Sequence, residues 1–365
     1  MNANLHKSAP VFLFVLIASW LGVVSRLEAG GDADGDGDID ITEIAALLAC
    51  LDGPELLVGP TCQGADFDGD GDVDLVDFAE LQRRFTGDGP VPGTLAVSWI
   101  HGSPSCASDS NPPIQVHAYN DDTFILRQNK CIHYEAPFIY LLFGEEKVFM
   151  QDTGATSSLA TFPLRTVVQG IIAQWLSDHG LSSIELIVTH SHGHGDHVAA
   201  DGQFSGQPLT TVVGTSQTAV RNFFGITSWP DQIVSFDLGG RVVDIIPIPG
   251  HHSSHIAVYD RRTDLLLTGD TLYPGRLYIS SWTSYQASIA RLVAFCATHD
   301  VSHILGTHIE MSATPGVDYP IGTTYQPNEH VLELDLSHLL ELNAAVIAMG
   351  TTPVYQVHDA FIIFP

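Results

Sequence analysis

One string limits the fold and chemistry of this chain more than any other: ELIVTHSHGHGDH, from Glu185 to His197. Glu185 to Thr189 is a short, mostly apolar run of the kind that forms a buried strand. The chain then leaves that strand with four histidines and an aspartate within eight residues. In an extended segment alternate side chains point the same way, so His192, His194 and Asp196 share one side. Gly193 and Gly195 remove bulk between them and let the backbone bend tightly around an ion. His197 follows where a helix is expected to start. Imidazole combined with carboxylate suits zinc or iron. A solvated His-rich tract has no need of a buried-type strand before it, whereas α/β sheets place their sites at the carboxyl ends of strands. The sequence therefore predicts a metal site here.

The surrounding pattern is α/β. Strands are predicted at Ile114–Tyr119, Phe138–Phe143, Lys147–Gln151, Ser183–Thr189, Thr210–Gly214, Val242–Ile248, His255–Tyr259 and Leu265–Thr268. Helices are predicted at Pro163–His179, Ser216–Phe224, Ser284–Thr298 and Ser337–Met349. In the third helix Ile289, Leu292, Val293 and Cys296 make one apolar face. Strands and helices mixed at this density predict two sheets with outer helix layers.

The string HxHxDH resembles the signature of the metallo-β-lactamase superfamily, and the rest of that family's pattern follows in order. Asp152 lies in VFMQDTGAT after an early strand, His251 in IPIPGHHSSH, Asp270 in LLLTGDTLYPG and His308 in HILGTHIEMS. The resemblance runs from roughly Ile114 to at least Glu310. It implies an αββα sandwich with two metals at one end. It places His192, His194 and His251 on one metal, and Asp196, His197 and His308 on the other. Asp270 bridges them, and Asp152 braces the loop from behind. Two zinc ions are implied, with iron or manganese as alternatives. Water between two such cations deprotonates near neutral pH. The resemblance implies that this hydroxide attacks an ester, thioester, lactone or amide carbonyl of a small-molecule substrate, with Asp196 orienting it and carrying a proton.

Asp270 and the TGDTLYPG string look most like the glyoxalase II branch, although Arg276 alone is a thin basic site for glutathione. His255 is expected to face the pocket, and Tyr273 and Arg276 to contact substrate or support the site. His190, His252, His303 and His330 are read as supporting or structural, and the tail Pro315–Gln326 as a pocket wall. Two other readings compete. One is a mononuclear iron oxygenase resembling persulfide dioxygenases. The other is a non-catalytic calcium-binding surface or adhesion protein.

Ahead of this domain two acidic segments, DADGDGDIDITE and DFDGDGDVDLVD, match the calcium-loop template. Asp32, Asp34, Asp36 and Asp38 alternate in the first, with Gly37 at the sharp turn and Glu43 closing the loop. Asp66, Asp68, Asp70 and Asp72 repeat this in the second, with Gly71 and Asp77. A helical apolar pattern follows each. Unneutralised, these carboxylates repel one another, so two calcium ions and calcium-coupled folding are expected. The pair resembles a dockerin module, which implies a cohesin-like or other surface partner. It departs from that pattern at Glu43, which replaces the usual closing Asp. It departs again at Ile41–Thr42 and Leu75–Val76, where a Ser/Thr pair is usual. The expected fold is thus a small all-α calcium-loop pair followed by the sandwich.

Residues 1–29 read as a signal peptide, with Lys7 before the apolar run Val11–Val24 and Arg26 after it. The predicted order is signal peptide 1–29, calcium module 30–86, linker 87–113 and hydrolase domain 114–365. A secreted, periplasmic or cell-surface protein is expected, without a stable membrane span after cleavage. Pairing of Cys50 with Cys62 and of Cys106 with Cys131, leaving Cys296 free, fits export. The chain has 42 acidic and 14 basic residues, a net charge of -28. That excludes nucleic acid as a partner, because phosphate binding needs a Lys/Arg footprint.

Overall fold

The computed structural model describes residues 41–51, 57–59, 62, 65–67, 70–84 and 90–365. The predicted signal peptide, Asp32, Asp34, Asp36 and Asp38 of the first acidic loop, and Asp68 of the second lie outside the described residues. Among the described residues no helix is long and apolar enough to cross a membrane.

Near the N-terminus, α1 (Ile41–Cys50) and α2 (Leu75–Arg84) share a small core of Leu47, Ala65, Val73 and Leu81. The second acidic loop is built around its own backbone. Gly71, at φ 97°, donates its N–H to Asp66 Oδ2 at 3.0 Å. Asp77 is buried and accepts from the N–H groups of Phe67 (2.6 Å) and Asp74 (2.7 Å). Carboxylate oxygens of Asp72, Asp74 and Asp77 lie within 4.8 Å of one another. Cys50–Cys62 and Cys106–Cys131 are disulfides, and Cys296 is free and buried.

The larger domain is two six-stranded sheets. The first runs in the order β1 (Ile114–Asn120), β2 (Thr123–Gln128), β3 (Phe138–Phe143), β4 (Lys147–Gln151), β5 (Glu185–Thr189) and β6 (Thr210–Val212). The second contains β7 (Val234–Asp237), β8 (Val242–Pro247), β9 (Ile256–Asp260), β10 (Leu265–Gly269), β12 (His303–Gly306) and β13 (Glu333–Leu334), with β13 and β7 at its edges. A three-stranded sheet joins β11 (Arg276–Tyr278), β14 (Gln356–Val357) and β15 (Ile362–Phe364).

Alternation of side chains along the strands makes the layers. Ile125, Tyr140 and Phe149 of the first sheet face Ile245, Val258 and Leu267 of the second. Their neighbours Leu126, Leu141 and Met150 face outward onto Leu164, Val168 and Trp175 of α3 (Leu164–Asp178). On the other side, Ile246, Tyr259 and Leu266 pack on α7 (Trp282–Cys296) and α8 (Leu336–Met349) through Ile289, Leu292, Leu339 and Leu342. The result is an αββα sandwich. Each fully buried Leu, Ile or Phe contributes roughly 1.5–3 kcal/mol, so three apolar layers dominate stability.

At one end a buried arginine joins the sheets. Arg241 donates to Asp260 Oδ1 (2.9 Å), Asp122 O (2.7 Å), Phe143 O (3.1 Å) and Thr123 Oγ1 (2.8 Å), and pairs with Asp260 again through Nη2. With its donors satisfied the ion is tolerated; removing one partner of such a pair costs about 3–5 kcal/mol.

Two expectations change. Strand β2 carries Arg127 and Gln128, which hide its strand pattern, yet both are buried. The stretch read as a linker is packed from residue 90 onward. Val91 N–H donates to Arg262 O, Thr94 N–H to Tyr119 O, and Trp99 is buried against Phe138 in the layer between the sheets. Its Gly and Pro content signals irregular backbone, and the apolar anchors among those residues decide that it docks.

Candidate metal centre

Strands β4, β5, β8, β10 and β12 all end at one edge of the sandwich, and each is followed by a loop that carries a site residue. β4 is followed by Asp152, whose φ of 71° is left-handed, a conformation that short polar side chains tolerate better than others. Its carboxylate reaches under the loop after β5. Oδ1 accepts from Ser191 N–H at 2.7 Å, and Oδ2 accepts from Ser191 Oγ at 2.9 Å and lies 2.9 Å from His197 Nδ1. His197 donates from Nδ1, which leaves Nε2 facing inward at the start of α4 (Gly195–Val198).

The same logic sets two more imidazoles. His251 Nδ1 donates to Tyr278 O at 2.7 Å and His308 Nδ1 to Glu135 O at 3.1 Å, while His192 Nδ1 contacts Ser191 Oγ at 3.1 Å. Each then presents Nε2 to the interior. His194 is the exception. Its Nδ1 lies 2.9 Å from Nε2 of both His192 and His251, which are 3.1 Å apart. Three ring nitrogens cannot all pair as donor and acceptor at one point, but they suit a shared cation.

Asp196, His197, Asp270 and His308 form a second convergent set. Asp196 Oδ2 is 3.3 Å from Nε2 of both His197 and His308. Asp270 spans the two sets: its Oδ2 is 3.6 Å from His251 Nε2 and 3.5 Å from His197 Nε2, while Oδ1 is 3.4 Å from His308 Nε2. Burial opposes the charge on Asp270, but His308 and His197 outweigh it and hold the carboxyl well below its usual range. His197 and His308 do the same for Asp196. Both carboxylates are therefore anions at neutral pH, as ligands must be. His197 Nε2 is buried and makes no hydrogen bond. That orphaned nitrogen between two carboxylates fits a metal ligand.

Of three other candidates, His255 sits differently from expectation, while Tyr273 and Arg276 take the supporting one of their two expected roles. His255 does not face the pocket. It is fully buried behind His192, stacked on it at 4.7 Å. Room for it depends on Gly269, at φ 54°, where an added Cβ would fall 2.5 Å from His255 Nε2 and 2.7 Å from Ser191 Cβ. Tyr273 is buried with its ring edge 5.6 Å from the His308 ring, and its hydroxyl bonds to Arg276 O. Arg276 is buried and paired with Glu310 at 2.9 Å and Asp318 at 2.8 Å. Both serve internal packing, and neither is placed to contact substrate. His190 pairs with Asp201 at 2.8 Å, and half-buried His330 lies against its neighbour's carbonyl.

Sequence reasoning missed Ser191, the hydroxyl of Thr307 that donates to Asp270, and the carbonyls of Tyr278 and Glu135. Ser191 lay inside the histidine string and was readable there; backbone carbonyls leave no trace in residue type. Beside Asp196 opens a cavity of about 340 Å³ lined by His133, Tyr134, Glu135, Ala155, Gly195 and Asp196. A larger cleft of about 900 Å³ between α3 and the β1–β2 hairpin contains none of the site residues.

Residues 135–350 match the model of the metallo-beta-lactamase superfamily. The chain belongs to the metallo-β-lactamase superfamily. Among curated members it is similar to hydroxyacylglutathione hydrolase of Rhizobium meliloti (strain 1021), at 30% identity over 145 residues, 39% of this chain and 54% of that protein. It is also similar to hydroxyacylglutathione hydrolase of Methylococcus capsulatus (strain ATCC 33009 / NCIMB 11132 / Bath), at 30% over 167 residues, 45% of this chain and 59% of that one. The chain thus spans little more than half the length of these relatives. Among solved structures, a metallo-beta-lactamase from Pontibacter korlensis aligns with a TM-score of 0.43 and 17% identity, over 64% of this chain and 99% of that one. In this superfamily member the two convergent sets and Asp270 between them stand at the strand ends where α/β folds place their chemistry.

Proposed function

We propose that the protein is a metal-dependent hydrolase of the glyoxalase II-like kind, holding two zinc-like cations and acting on an ester, thioester, lactone or amide. One observation carries this reading: Asp270, which converges with Asp196, His197 and His308, also reaches toward the set of His192, His194 and His251. His192, His194 and His251 would hold one cation; Asp196, His197 and His308 the other. When bound, such cations acidify water and polarise a carbonyl. Asp152, Tyr278 O and Glu135 O fix which ring nitrogen His197, His251 and His308 present to the centre. Asp196 lines the adjoining cavity, so its carboxylate is placed to orient a water by accepting its hydrogen bond.

The test is a screen of thioesters, lactones, aryl esters, phosphoesters and β-lactams with the zinc-loaded protein, alongside metal analysis. Two zinc ions per chain and turnover of a carbonyl substrate, lost in His194→Ala, support the reading. A single iron per chain with no hydrolysis would favour an oxygenase instead.

The proposal extends to the N-terminal module as a separate calcium-binding unit. Its support is the sequence template together with the clustered carboxylates of Asp72, Asp74 and Asp77. Two disulfides in a chain of this charge support an exported protein.

A further inference from the structure

The cavity beside Asp196 reaches the candidate centre through that residue, and its wall is one-sided in charge. Glu135 and Asp196 supply two carboxylates, and among the described residues no Lys or Arg lines it. A small adjoining cleft shares Tyr134 and Glu135 and adds Lys130 and Arg276. Neither cation is free to meet a substrate. Lys130 is 2% exposed, its Nζ donates to Tyr134 O at 3.1 Å, and burial holds its amine down to about 7. Arg276 is taken up by Glu310 and Asp318. Arg127, on β2, is buried over the Phe138 ring and paired with Glu329 through both Nη atoms.

The wall is also shaped to receive positive charge. Tyr134 stacks on His133 at 5.0 Å and donates its hydroxyl to Glu135 Oε1 at 2.9 Å, while Glu135 Oε2 lies 3.3 Å from His133 Nδ1. The Glu135 carboxylate, held at the edges of these two rings, attracts an ammonium by charge, and a tyrosine ring beside it can add a quadrupole contact. Glu135 is tied to the centre through its own carbonyl, which accepts from His308. Bound divalent cations would attract anions, but at the reacting carbonyl, where Asp196 and Asp270 already offset part of their charge. The remainder of a substrate meets the wall.

Resting on the hydrolase reading above, we propose that the site takes substrates whose group beyond the scissile bond is uncharged or cationic, with Glu135 and Tyr134 as specificity-determining residues. Net-anionic thioesters such as those of glutathione are disfavoured.

The experiment uses the full zinc-loaded chain and three S-acetyl thioesters that differ only at the far end of the thiol: a quaternary ammonium, a hydroxyl or a carboxylate. The matching non-hydrolysable ketones are titrated by calorimetry. At low ionic strength the cationic thioester should exceed the anionic one in kcat/KM by about tenfold or more, carried in KM, as expected for one unscreened charge contact. Glu135→Gln should shrink that ratio, and Glu135→Lys should reverse it, at unchanged zinc content. Equal or better turnover of the anionic thioester by the wild type, or a ratio unmoved in Glu135→Lys, overturns the proposal and leaves the hydrolase reading intact. If no thioester turns over, thioesters drop out of the hydrolase reading, which the wider screen above decides, and the ketones still decide the selectivity. Glu135-dependent preference for the cationic ketone sustains the selectivity, and equal affinities refute it.

Discussion

Asp152 Oδ2 lies 2.9 Å from His197 Nδ1, and both side chains are fully buried. This contact selects the ring nitrogen that His197 shows to the centre. The same carboxylate holds Ser191, one residue before the ligand His192. One residue at the end of β4 thus sets the geometry of ligands from both sets.

Asp152→Asn should therefore weaken metal binding without touching any ligand. Outer-shell changes of this kind typically cost 10–100-fold in affinity. Chelator competition on the folded variant measures it; an unchanged affinity would show that His197 needs no such brace.

Asp270→Ala removes the carboxylate between the two sets. Metal content should fall below two per chain, with most activity lost, while the sandwich stays folded because its apolar layers are untouched. Two retained metals with normal turnover would mean that Asp270 does not join them.

The N-terminal module should be removable, and the cut position matters. A chain starting at Pro90 keeps Trp99 and the Cys106–Cys131 disulfide. One starting at Ile114 loses both, and should be less stable by more than about 4 kcal/mol, since burying a Trp and closing a disulfide each contribute a few kcal/mol. Denaturant melts of the two truncated chains compare directly. Equal stability would show that residues 90–113 are dispensable. The module alone should gain helix when calcium is added, read by circular dichroism with and without chelator.

Lys130 gives a pH signature. Burial holds its amine at about 7, below the free value of 10.5, so between those limits the unfolded chain binds the extra proton. Stability should then rise with pH from about 7 to 10 on this account. Lys130→Met should flatten that rise, measured as the difference in urea unfolding between wild type and variant at pH 7 and pH 9. Parallel pH profiles would show that Lys130 is not held neutral.

Much of the centre was legible because its ligands are side chains in short, ordered strings. His192, His194, Asp196 and His197 follow one strand, and Asp270 and His308 each close another. His255 was misplaced for a physical reason. Polarity suggests a pocket, but the space behind His192 is polar too, and only the packing of β9 against Gly269 shows which side the ring takes. The role of Arg276 stayed open between substrate contact and support because its partners Glu310 and Asp318 lie more than thirty residues away. The docked segment from residue 90 onward was hidden by its Gly and Pro content, while its anchor, Trp99, carries the packing.

Gly269 adds a consequence for laboratory evolution of this centre. A methyl group there meets His255 on one side and Ser191 on the other, at 2.5 Å and 2.7 Å. Neither neighbour can yield without disturbing a ligand, because His255 stacks on His192 and the Ser191 hydroxyl contacts His192 Nδ1. Libraries that randomise position 269 should return glycine alone, whereas positions 133 to 135, on the cavity wall, should tolerate variety and yield new substrate ranges.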